Sequence, residues 1–120
     1  MIDLREYEDL IREEVEKVNK RDKNWKWSVK SVGKKRVRIR WGYLVDMEEK
    51  EDAFILEMQN EDPASGIGDW LWAKQPDGDH IECYLVVEGT PNPRVGAECN
   101  IKNGIRWAID EIEYFAHSRY

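Results

Sequence analysis

The spacing of apolar positions changes several times along this chain, and each change marks an element. Leu4, Tyr7, Leu10, Ile11, Val15 and Val18 recur every three or four residues after Asp3, which forms a capping box with Glu6. A helix is therefore predicted from Asp3 to about Asn19. From Trp25 to Val45 the spacing drops to two on both sides of Gly33, the pattern of a β-hairpin with one buried and one wet face. Phe54, Leu56 and Met58 then alternate with Ile55, Glu57 and Gln59 in a third strand, Ala53 to Asn60. Trp70 to Gln75 and Asp79 to Glu88 form a second hairpin around Pro76-Asp77-Gly78. The helical period returns at about Asn100, with Ile101, Ile105, Ala108, Ile109, Ile112, Phe115 and Ala116 as its stripe and Trp107 and Tyr114 to one side. Gly104 inside this helix costs about 1 kcal/mol relative to alanine and points to a close backbone contact.

Strand registers follow from keeping apolar residues on one face. In the first hairpin, Val29 opposite Val37, Trp27 opposite Ile39 and Trp25 opposite Trp41 give a coherent core side, whereas a slip by one sets valine against arginine. That register stacks like charges on the wet side, Lys30 facing Arg36 and Lys26 facing Arg40 with Arg38 between. In the second hairpin, proline suits the second position of a type I turn and Gly78 a left-handed bulge residue, which pairs Gln75 with Asp79. Leu71 and Ala73 would then share a face with Ile81, Cys83 and Leu85, and Trp70 and Trp72 with His80, Glu82 and Tyr84. A two-residue Asp-Gly turn would reverse this and place both tryptophans beside Cys83.

The order is α-β-β-β-turn-β-β-α. An α+β domain over residues 1–120 is expected, with an antiparallel sheet of about five strands and both helices on one face. Asp62-Pro63 fits a single helical turn, Gly66 and Gly68 a flexible connection, and Thr90 to Gly96 a loop that ends the last strand. This order resembles the small acidic chaperones of type III secretion, which run α-β-β-β-α-β-β-α, dimerise and wrap an effector segment. The resemblance spans the chain as element order and acidic pI alone, and no motif carries it, neither LIREEVEKV in the first helix nor GIRWAIDEI in the last. It implies a homodimer and a protein client.

Composition narrows the function classes. One core suits 120 residues, which should bury roughly two-thirds of the surface of the extended chain. The absence of a long apolar run makes a cytoplasmic location the expectation. Cys83 and Cys99 are too few for a disulfide scaffold and read as reduced, packed thiols. Charge is strongly segregated. The first hairpin carries Lys26, Lys30, Lys34, Lys35, Arg36, Arg38 and Arg40 and no acid, a formal +7 within a chain of net −6. Residues 46–62 follow with eight acids against Lys50 alone, a formal −7.

Catalytic signatures are not legible. Cys83 or Cys99 with His80 or His117 falls in no nucleophile motif, and their spacing is not that of a zinc site. Gly66-Ile67-Gly68 lacks the third glycine of a phosphate loop, and the acids at 46–52 lack calcium-loop spacing. No cofactor, no metal and no enzymatic activity are expected. The sharpest constellation is Lys26, Lys30, Arg36, Arg38 and Arg40 with Trp70, Trp72 and Tyr84 on one sheet face. Arginine and tryptophan are the anchor residues of protein interfaces, so a protein partner is the leading expectation. The same face could stack a nucleotide or short single-stranded nucleic acid, although the net charge opposes long nucleic acid. The competing reading is structural, with Glu57, Glu82 and Glu88 neutralising the stripe across strands.

Overall fold

A computed structural model of the chain describes residues 2–43, 53–62, 66–87 and 98–119. Asp3 accepts the Arg5 N–H through its side chain and starts a 3-10 turn, Leu4–Tyr7, which leads into helix α1, Glu8–Arg21. Six strands follow: β1 (Trp25–Val32), β2 (Arg36–Tyr43), β3 (Ala53–Asp62), β4 (Gly66–Lys74), β5 (His80–Val86) and the short β6 (Glu98–Cys99). Helix α2, Ile101–Arg119, ends the described chain. Strand order equals chain order, every neighbouring pair is antiparallel except β5–β6, and both helices cover one face. Helix α1 lies over β1, α2 over β4 and β5, and the two helices touch each other.

This is the expected α+β sheet with two changes. Gly66 and Gly68 belong to β4 rather than to a flexible connection, and β6 adds a parallel strand that two residues of sequence could not announce. Only three residues separate β3 from β4, too few for the middle helix of the secretion-chaperone order. The expected turn at Pro63, the acidic loop at 46–52 and the loop from Thr90 to Gly96 lie outside the described residues.

The helix-facing side is a continuous apolar layer. Phe54, Leu56, Val37, Leu71, Ala73, Leu4, Ile11, Ile105, Ala108 and Ala116 are all fully buried. Gly104 is where α2 comes closest to the sheet: a Cβ there would stand 2.9 Å from Cys99 Sγ and 3.4 Å from a Leu71 methyl. Burial raises the Cys99 thiol to about 11, as expected of a packed rather than a reactive cysteine.

Both hairpins depart from the expected registers, and each contains a β-bulge. In β1–β2 the pairs are Trp27 with Trp41 and Val29 with Ile39, two residues away from the expected register, and then Ser31 with Arg38 and Val32 with Val37. Lys30 is the extra residue of a β-bulge. Val29 and Val32 both pack against the core although they are three apart, an odd spacing that a strand can reconcile only by inserting one residue. In β4–β5 the turn itself is as expected: the Gln75 N–H donates to Asp79 O at 2.8 Å, and Gly78 has φ 94°. Beyond the turn Ile81 is bulged, so that Ile81 and Tyr84 both reach the core. The bulge sets Leu71 opposite Tyr84, Trp72 opposite Cys83 and Ala73 opposite Glu82. Tyr84 and Glu82 therefore do not share the face of Trp70 and Trp72, while His80 and Cys83 do.

Candidate functional site

Facing away from the helices, the sheet presents Lys26, Ser28 and Ser31 from β1, Arg36, Arg38 and Arg40 from β2, Ile55, Glu57 and Gln59 from β3, Trp70, Trp72 and Lys74 from β4, and Cys83 and Leu85 from β5. The arginines and tryptophans thus occupy one face, as expected, with β3 between them. The stacking of like charges does not occur. Arg38 faces Ser31, Arg40 faces Ser28, Lys26 faces Gly42, and the bulge removes Lys30 from any pairing with Arg36. Register and bulge together disperse the charge, which accounts for how so cationic a hairpin folds.

Glu57 organises the centre of the face. Its carboxylate accepts from the Arg36 guanidinium, with Nε at 3.2 Å, from the Gln59 amide at 2.9 Å and from the Lys74 ammonium. Burial alone would raise its pKa, but the hydrogen bonds from Lys74, Arg36 and Gln59 outweigh it and hold the carboxyl at about 2. A depressed carboxylate stabilises the fold above its unfolded value of 4.5, and that contribution is lost as pH falls from there to about 2. Because Arg36 is more than half exposed, solvent screening reduces the effect to about 2 kcal/mol. By pH 3 somewhat more than half of this contribution is gone, so urea unfolding of the wild type at pH 7 and pH 3 should differ by about 1 kcal/mol more than unfolding of Glu57→Gln. Equal pH dependence of the two proteins would show that the network contributes nothing.

The remaining site residues divide. Trp72 is only 5% exposed, its ring 4.1 Å from that of His80, and Trp70 is half-buried. Among the described residues neither indole N–H of Trp70 or Trp72 has an acceptor. Tyr84 is buried on the helix side, its ring 5.9 Å from that of Trp107, and burial raises its hydroxyl pKa well above the ordinary value. The three aromatics therefore do not form one exposed stacking platform. Lys26 and Lys30 are exposed and Arg38 is half-buried. Among the described residues none of these three cations, nor Lys35, has an ion pair. Of the carboxylates expected to neutralise the stripe, Glu57 does so for Arg36 and Lys74, Glu82 sits on the opposite face, and Glu88 lies outside the described residues.

A second polar cluster was not legible in the sequence. Asp22, at the end of α1, accepts from the backbone N–H groups of Asn24 and Trp25 through Oδ1 and from the Trp27 indole N–H at 2.7 Å through Oδ2. His117 Nε2 lies 3.0 Å from the same Oδ2, and its ring stacks on Trp25. Burial opposes ionisation, yet these hydrogen bonds and His117 leave the Asp22 pKa lowered. Asp22, Glu113 and His117 have the composition of a metal site. However, Asp22 already serves four donors, and Arg21 engages Glu113 through both Nε and a terminal nitrogen, so the donor set is committed to joining α1, β1 and α2. Cys83 and Cys99, the thiols weighed for chemistry, are separated, one on the open face and one beneath α2.

Among the described residues no helix is long and apolar enough to cross a membrane. No family model, no curated protein and no solved structure matches this chain.

Proposed function

We propose that this chain is a small acidic, non-enzymatic binding protein that occupies a protein partner through its cationic β1–β2 hairpin, in the manner of an inhibitor, an immunity protein or a chaperone-like adaptor. The observation that carries this reading is the set of four cations, Lys26, Lys30, Lys35 and Arg38, that have no carboxylate partner among the described residues, in a chain whose net charge is −6. Cations spared intramolecular pairing steer and select a partner of opposite charge more than they stabilise the fold. A nucleic-acid ligand fits less well, because Trp72 is closed to stacking and Tyr84 is on the other face.

The triple variant Lys26→Glu/Lys30→Glu/Arg38→Glu tests the reading. It should keep the wild-type far-ultraviolet spectrum while losing, by at least about tenfold, the partner that the wild type retains in a pull-down from its native extract. Identical captured proteins for the two chains would remove the hairpin from the contact. Salt-sensitive gel retardation of a short single-stranded oligonucleotide by the wild type alone would move the reading to nucleic acid.

A further inference from the structure

The two edges of the sheet are not equivalent. The β6 edge is two residues long, whereas β1 offers eight. Side chains close the first half of the β1 edge: the Trp25 N–H donates to Asp22 Oδ1 at 3.3 Å and the Trp27 N–H to Asn19 Oδ1 at 2.8 Å. These two bonds show that odd-numbered residues in this half direct their backbone groups away from β2. Period two places the Val29 N–H on the same outer side, and among the described residues no side chain meets it. At this point a groove opens between α1 and the strand, lined by Arg12, Val15, Glu16, Trp27, Ser28 and Val29. Val15, Trp27 and Val29 are the apolar part of its lining.

Resting on the partner-binding reading above, we infer that this edge is where the partner docks, as an extended segment that adds a strand to β1 next to Val29. Strand addition takes its affinity from main-chain hydrogen bonds and its selectivity from alternate side chains. The residue of the added strand opposite Val29 faces the groove and is apolar; its neighbours, beside Ser28 and the exposed Lys30, meet the cationic side and are acidic. The segment is therefore an alternation of acidic and apolar residues. A second copy of β1 is the wrong occupant, because antiparallel pairing about Ser28 sets Lys26 against the other copy's lysine at position 30. The lysines and the bulge that repel a like edge admit an acidic one.

The probe is a blocked heptapeptide alternating aspartate and valine, titrated into the isotope-labelled full chain and followed by amide chemical shifts and hydrogen exchange. The expected result is shifts centred on Ser28 and Val29 and slowed exchange of the Val29 amide. Methylating the alternate peptide nitrogens that would face β1 should weaken binding at least about tenfold, as should Lys26→Glu/Lys30→Glu, both exposed positions. Equal binding of methylated and unmethylated peptides overturns strand addition. Shifts confined to Arg36, Arg38 and Trp70 overturn it too, while leaving the hairpin as the contact surface. If the peptide fails to bind but the triple variant still loses its partner, strand addition is wrong and the broader reading stands. If the triple variant also keeps its partner, both fall.

Discussion

Replacing Asp22 with alanine is expected to destabilise the fold by about 3 to 5 kcal/mol. The side chain is 1% exposed and serves the Asn24 and Trp25 N–H groups, the Trp27 indole and His117. Truncation leaves two buried donors, the Trp25 amide and the Trp27 indole, without an acceptor at the point where α1 hands the chain to β1. Asp22→Asn keeps acceptor capacity on one oxygen and should cost less, about 1 to 2 kcal/mol. His117→Ala should cost less than about 1 kcal/mol, since the imidazole is 42% exposed and shares its load with water. Urea unfolding followed by tryptophan fluorescence measures all three. The depressed Asp22 carboxyl stabilises above the ordinary aspartate range and loses that contribution as pH falls, so the gap between wild type and Asp22→Asn should narrow on acidification. An Asp22→Ala protein as stable as the wild type would mean that the junction is not held by this carboxylate.

Phe54→Ala is expected to cost a similar amount, about 3 to 5 kcal/mol. Phe54 is fully buried at the meeting point of three aromatic rings, with centroid distances of 4.4 Å to Trp41, 6.0 Å to Trp27 and 6.3 Å to Phe115. Its removal leaves a cavity walled by large, stiff rings from β1, β2 and α2, which cannot collapse inward as flexible aliphatic chains can. Phe54→Leu keeps much of the volume and should cost less than half as much. Denaturant midpoints at unchanged m-value give the comparison, and equal losses for the two substitutions would show that ring contacts rather than volume govern the site. Neither Phe54 nor Asp22 reaches the open face, so such losses of stability can be separated from losses of partner binding at Lys26, Lys30 and Arg38.

Much of the candidate surface was legible before any coordinates. The period-two run from Trp25 to Val45 puts Lys26 and the arginines of β2 on one face whether Val29 pairs with Val37 or with Ile39, because a slip by two preserves parity. Tyr84 was not legible in this way. Its assignment depended on parity continuing through β5, and the bulge at Ile81 breaks it. A signal was nevertheless present: Val29 with Val32, and Ile81 with Tyr84, are apolar residues three apart inside strands, a spacing that an unbroken strand cannot bury on one side. Cross-strand pairing of Glu57 with the cationic stripe was legible, and Arg36 meets that expectation; Lys74, on β4 at the other side of β3, had no such signal.

What the amino-acid order determined here is local: two amphipathic helices, the strands they flank, the Pro76-Asp77-Gly78 turn and the concentration of positive charge in one hairpin. These depend on periodicity and turn chemistry, which act over a few neighbouring residues. The tertiary structure decided which cations have no partner among the described residues, which indole is closed off, where Asp22 finds its donors, and how β1 comes to be the sheet edge at Val29. Each of these depends on residues brought together from distant parts of the chain, and a single inserted residue in a strand exchanges the faces beyond it.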